Sequence, residues 1–349
     1  MFPLVFLRLA LIVLLTGLAF GASALSRHHC PNETTGPAAS AALTRLTHQG
    51  PSTSNPTPEE VLQKGDEAWQ KGDVKTAEKL YFDAVKKVEA TYGSKDPRLA
   101  KGLIKLSTVY FPLELRAPML LLDTILPFPP GYRVGHFNIG MNMGQRNQAH
   151  VAVDYFRRKY LPARPYLERA VHVLEQGRGP DHIEVANALE ELAALHLAMG
   201  AYDQAEPLYE RMFSIREKSL GPDNPELVRD LNMLSYIKRI RRKFPEAQAF
   251  AKRAVALPQP EDDASFLRTA TLYSLATAQI ELKEFALAEE LIRTCIALHE
   301  KQDGRGHTAI LWLLVREHAF ILDKLKRKEE AKQQRARTQV LRKAMESRK

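Results

Sequence analysis

Cysteine is nearly missing: Cys30 and Cys295 are the only two among 349 residues. A small disulfide-stapled scaffold needs several, so that class is excluded. The sequence also lacks a glycine-rich phosphate loop and a serine or cysteine in a nucleophile elbow. His136, His150, His172, His182 and His196 are scattered, without the close ligand pairs of a zinc site. His28-His29-Cys30 are adjacent on a polar tail, a weak metal signal. Glu190 and Glu191 are neighbours, not two carboxylates facing each other across a cleft. The sequence thus offers no catalytic residue, no metal site and no cofactor site. An excess of one charge is also lacking over most of the chain. The formal charge is +9, but residues 324–349 carry 11 basic and 3 acidic side chains, so the remainder is almost balanced. A nucleic-acid platform is therefore not expected.

Polar residues are lacking at the start. Leu9 to Phe20 is nearly continuous apolar sequence after a single arginine, Arg8, and Ala22-Ser23-Ala24 supplies a small-residue cleavage pattern. Residues 1–24 read as an export signal with Leu25 as the first mature residue; an uncleaved membrane anchor is the other reading. The chain is accordingly expected in a periplasm, secretory lumen or extracellular space. Residues 25–57 are rich in Ser, Thr, Gly and Pro and too poor in apolar residues to build a core, so they read as a disordered linker. Asn32-Glu33-Thr34 would accept a glycan in a host that glycosylates exported proteins.

From Pro58 onward a period of about 42 residues takes over. Gly179-Pro-Asp-His182 returns as Gly221-Pro-Asp-Asn224, and an alanine recurs at 77, 163, 205, 247, 288 and 331, with spacings of 86, 42, 42, 41 and 43. A fixed period of this length marks a helical solenoid, in which each hairpin buries its apolar faces against its neighbours. Leu227, Leu231, Leu234 and Ile237 recur at helical spacing, in register with Val185, Leu189, Leu192 and Leu195. Hairpins are expected over 58–91, 144–176, 182–219, 224–257 and 262–301, with a weaker one over 305–346. Since 86 is two periods, residues 97–143 are counted as one degenerate unit: a helix over 97–110, a partner over 113–126 broken by Pro118, then an irregular stretch. Cys295 falls in a column with Ala84, Ala170, Met212 and Ala254 and is read as packing. Arg335 stands where Tyr81, Leu167 and Tyr209 stand, as suits a last helix with one solvated face.

Val185-Ala-Asn-Ala-Leu-Glu-Glu-Leu-Ala193, Gly200-Ala-Tyr-Asp-Gln-Ala-Glu-Pro-Leu-Tyr209, Ile215-Arg-Glu-Lys-Ser-Leu220 and Gly221-Pro-Asp-Asn-Pro225 together resemble the tetratricopeptide repeat (TPR), in the 42-residue form of kinesin light chains. The resemblance covers about 58–346 and is densest over 163–300. It implies an all-α fold of antiparallel helix hairpins stacked as a right-handed superhelical solenoid, with first helices lining a groove for a peptide or partner protein. The position that is asparagine in relatives corresponds here to Glu190, Asn232 and Tyr273. Neighbouring groove candidates are Asn187, Glu191, His196, Arg229 and Lys238.

Two readings follow. One is an exported scaffold that binds a peptide or protein in this groove without catalysis. The other is a structural subunit of an envelope or membrane-associated complex, docking through 118–143 and the basic capping helix at 324–349. That helix either is solvated or meets anionic phospholipid or an acidic partner.

Overall fold

The computed structural model describes residues 56–111, 158–258, 264–300 and 305–347. Among these the chain forms twelve α-helices, the end of a further helix at 158–160, and one short 3-10 turn at Leu161–Ala163. In chain order they are α1 (Pro58–Gln70), α2 (Val74–Tyr92), α3 (Arg98–Tyr110), α4 (Arg164–Arg178), α5 (Ile183–Ala198) and α6 (Tyr202–Leu220). There follow α7 (Leu227–Ile240), α8 (Phe244–Ala256), α9 (Ala264–Glu281), α10 (Phe285–Glu300), α11 (Arg305–Lys324) and α12 (Lys328–Ser347).

The helix ends follow from local chemistry. Before α1, Thr57 Oγ1 accepts from the Glu60 N–H at 3.2 Å while Glu60 Oε2 accepts from the Thr57 N–H at 3.1 Å, a capping box followed by Pro58 at the first helical position. α5 is capped by His182, whose Nδ1 accepts from the Glu184 N–H at 3.2 Å, and not by Asp181. The hairpin turns are close copies of one another. Gly72, Gly200, Arg242, Lys283 and Lys326 all have φ between 63° and 76°. The next N–H bonds back to the carbonyl five residues earlier: Asp73 to Ala68, Ala201 to His196, Lys243 to Lys238, Glu284 to Gln279 and Arg327 to Leu322, all at 2.8–2.9 Å.

Three of these five left-handed positions are not glycine, and a Cβ there costs roughly 1–2 kcal/mol. Lys283→Gly is therefore expected to raise the unfolding free energy by about 0.5–1 kcal/mol, the entropy of an added glycine taking back part of the relief. Urea melts of the two chains check this, and a destabilised variant would count against a strained turn.

The helices pair as α1–α2, α3–α4, α5–α6, α7–α8, α9–α10 and α11–α12. Second helices sit close to first ones because the recurrent alanines 77, 163, 205, 247, 288 and 331 are all fully buried. Gly65 is equally constrained, since a Cβ there would lie 2.6 Å from the Tyr81 ring. Cys295 is also fully buried, and burial pushes its thiol up to about 12.

α3 packs on α4; the partner helix expected over 113–126 falls outside the described residues. The stretch 112–157, which includes the expected irregular surface at 118–143, lies outside the described residues.

A ladder of arginines confirms the order. Six residues past the buried alanine, Arg169 reaches Glu89 at 2.6 Å, Arg211 reaches Glu175 at 2.5 Å, Arg253 reaches Glu217, and Arg337 reaches Glu300 at 2.7 Å. Each glutamate lies twelve residues past the alanine of the preceding hairpin. Arg211 and Arg253 also donate to the Pro180 and Pro222 carbonyls, both at 3.1 Å. At the junction of α7–α8 with α9–α10 the equivalent residues are Gln259, outside the described residues, and Thr294, whose hydroxyl donates to the Glu290 carbonyl.

At two junctions consecutive first helices approach one another, α3 with α5 and α7 with α9, while no two second helices come into comparable contact among the described residues. The stack therefore curves with its first helices on the inner side.

Candidate functional site

The inner face is built from α5, α7, α9 and α11, and a single arginine organises its best-formed polar patch. Arg216, near the end of α6, donates from Nη2 to Asn187 Oδ1 at 3.0 Å and to Glu190 Oε2 at 2.5 Å. Its Nη1 donates to Asp230 Oδ1 on α7 at 2.8 Å. A planar guanidinium suits this task because its donors form a rigid fork. Asp230 is buried, and that burial pushes its carboxyl up to about 6, with Glu190 adding to the rise and the Arg216 charge opposing it. Asn187 and Arg229 are exposed and Glu190 and Glu191 half-buried, so the patch borders solvent. With Oδ1 occupied by Arg216, the Asn187 side chain keeps its amide N–H groups for another acceptor.

The other four expected groove residues are buried, which corrects their reading as an open contact surface. Asn232 is 3% exposed and donates from Nδ2 to Thr271 Oγ1 at 2.9 Å, tying α7 to α9. Tyr273 is 2% exposed, and its hydroxyl has no hydrogen-bond partner among the described residues. Lys238 is buried at the centre of an ion cluster, 2.7 Å from Glu206, 2.5 Å from Glu210 and 2.9 Å from Glu246. His196 is buried as well, and burial holds its pKa below the ordinary range, with the Arg164 charge adding to the effect and Glu168 and Gln204 opposing it. The physical reason is cover by neighbouring helices: α9 meets Asn232, α6 and α8 surround Lys238, and α4 and α6 lie beside His196.

Arg216 was not expected as an organiser. Its place on a second helix kept it off the groove list, although an arginine in a column that holds Val88 and Leu174 in earlier hairpins is a visible signal.

At the C-terminal end, three arginines of α12 and the turn before it pair with acidic side chains. Arg327 holds Glu289 and Glu330, Arg335 holds Asp323, and Arg337 holds Glu300. No described helix is long and apolar enough to cross a membrane; residues 1–24 and 25–55 lie outside the described part. Among the described residues no group of three or more His, Cys, Asp or Glu is placed to hold a metal ion.

A hairpin with left-handed turn, buried small column and inter-hairpin ladder agrees with the family comparison. The tetratricopeptide repeat model matches residues 150–218 and 184–259. Over these residues the chain is similar to the tetratricopeptide repeat.

Among solved structures, the nearly identical TPR-like repeats of a putative kinesin light chain from Podosopora anserina, in a form carrying one substitution, are 19% identical. They cover 59% of this chain and 99% of their own, with a TM-score of 0.48. BtubC (BKLC) from P. vanneervenii is 17% identical over 70% of this chain and 82% of its own, at 0.46. Aspartyl phosphate phosphatase F from Bacillus subtilis is 14% identical over 85% and 96%, at 0.37. These likenesses assign no ligand to the present repeats. No curated protein matches the chain.

Proposed function

We propose that the protein is a non-catalytic scaffold that binds an extended peptide segment of a partner protein along the inner face of α5 and α7. The observation that carries this reading is the Arg216 knot. It fixes Asn187 and Glu190 on one first helix and Asp230 on the next, before any ligand arrives. A pre-set carboxamide can meet a backbone carbonyl with little further loss of side-chain freedom, which lowers the entropic cost of binding. Glu190 and Glu191 on one side and Arg229 on the other give the face both signs of charge, so a ligand's orientation along it is specified.

The test is selection of a displayed random-peptide library on the full chain, counter-selected on an Asn187→Ala, Arg229→Ala double variant. The expected result is a family of peptides whose affinity falls about tenfold or more in the variant, a loss of about 1.4 kcal/mol, with helicity unchanged. Failure to enrich any family, or equal binding to the variant, would sink the reading.

A further inference from the structure

The arginine ladder between hairpins is accompanied by a second one along the turns. The residue after the left-handed turn position meets the residue after the buried alanine of the preceding hairpin. Lys243 donates to Glu206 at 2.8 Å, Gln248 donates to Glu284 at 2.5 Å, and Arg327 donates to Glu289 at 2.6 and 2.7 Å. Where the turn residue is Ala201, this rung is absent. A further link joins α6 to α7: Arg216, eleven residues past Ala205, donates to Asp230, seventeen residues before Ala247.

Both ladders run out at the two ends of the described stack, and there the charges are arranged by end. At the α1–α2 end, the place of the ladder arginine, six residues past Ala77, is taken by Asp83, and the turn place by Asp73. At the α11–α12 end, the place of the ladder glutamate, twelve residues past Ala331, is taken by Lys343, and the residue after that alanine is Lys332. Asp73, Lys332 and Lys343 are exposed and Asp83 is half-buried. None of the four is in an ion pair among the described residues; Asp73 uses one carboxylate oxygen to accept from the Thr76 N–H at 3.2 Å, capping α2. The further link also has its counterparts, with Arg342 in the place of Arg216 and Glu60 in that of Asp230. The α11–α12 end leaves apolar surface as well. Trp312 and Phe320 of α11 are half-buried, whereas Val228 and Tyr236 at the same places of α7 are buried.

We infer that the two ends are a head and a tail that dock on each other, so that α1–α2 of one copy continues the stack beyond α11–α12 of a second copy. In the register of the internal junctions Asp83 then meets Lys343, Asp73 meets Lys332 and Glu60 meets Arg342. All three pairs are of opposite sign. The sign of the outer ladder is reversed relative to the internal one, where arginine comes from the following hairpin and glutamate from the preceding one. An end therefore matches the other end and repels the equivalent face of an internal hairpin: Asp83 there would face a glutamate. Such a contact is heterologous, and it builds a row of copies unless the rotation between them closes a ring. Its rungs are exposed, so the association is weak and sensitive to salt.

Sedimentation velocity on the full chain, without any peptide, tests the docking over a range of concentrations. At low salt the sedimentation coefficient of the parent is expected to rise with concentration, and at about 1 M salt the rise should disappear. A tail variant, Lys332→Glu with Lys343→Glu, and a head variant, Asp73→Asn with Asp83→Lys, should each associate about tenfold or more weakly, since attraction across the rungs is replaced by repulsion or lost. Asparagine at 73 retains the cap on α2, and unchanged helicity is checked for each variant. A chain carrying all four changes should regain self-association, because its head and tail are again of opposite sign. A parent that stays monomeric at low salt, association undiminished by salt or in either variant, or a fourfold variant that stays monomeric would overturn the inference. The peptide selection is read on the inner face at Asn187 and Arg229, so either result can fail without the other.

Discussion

Lys238→Ala is expected to lower the unfolding free energy by about 2–3 kcal/mol, more than any surface charge in the molecule. The ammonium is 4% exposed and holds Glu206, Glu210 and Glu246. Glu206 is buried too, and would be left in a low-dielectric site with one cation fewer. It keeps Lys243 at 2.8 Å and Arg241 at 3.1 Å, so the loss should fall short of that for an isolated buried pair. Burial alone pushes the Glu206 carboxyl up, but hydrogen bonds from Lys238 and Lys243 and the nearby charges outweigh it and hold it at about 2.

The sign of the pH dependence follows. A carboxyl depressed in the native state stabilises it above its unfolded pKa of about 4.5, and that contribution is lost as pH falls through the folded value. The gap between parent and variant should therefore narrow between about pH 4.5 and pH 2. Replacing both partners, Lys238→Met with Glu206→Leu, should cost clearly less than the sum of the single changes. Chemical melts of the four proteins across this range provide the check. A Lys238→Ala variant as stable as the parent would show that the cluster is solvated and contributes nothing.

The second large effect has the opposite direction. Glu317 on α11 is 4% exposed, and burial pushes its carboxyl up to about 7 against the pull of Arg316 and Arg239, with Glu281 adding to the rise. Below about pH 4.5 the group is protonated in both states and costs nothing. As pH rises from there to about 7, the unfolded chain ionises while the native chain keeps its proton, so stability falls, and above 7 the full cost is present. Glu317→Gln keeps the shape without the ionisation. It is expected to be about 2 kcal/mol more stable than the parent at pH 8, with the advantage vanishing near pH 4. Urea midpoints at pH 4, 6 and 8 decide the matter. A variant that is less stable at pH 8 would mean that the arginines hold Glu317 as a native ion pair.

Both predictions concern residues whose type was plain in the sequence and whose environment was not. Lys238 read as one groove candidate among eight; only its neighbours from α6 and α8 turn it into the centre of a buried cluster. Asn232 and Tyr273 were placed on the inner side by their register. They lie there, but Asn232 is used to join α7 to α9 and Tyr273 is enclosed. Glu317 sits next to Arg316 in the chain, which by itself suggests a solvated face.

What the sequence determined by itself is everything that depends on spacing along one chain. The period set the hairpins from α5 to α12, the alanine columns set where helices approach, and the turn positions recur five residues before those alanines. These follow because helix periodicity and capping are decided within a few residues. Tertiary structure alone decided which arginines meet which glutamates and which inner-face residues reach solvent. Those outcomes depend on how far apart successive hairpins sit and how sharply the stack curves, which is the summed result of packing across every junction and is written in no single repeat.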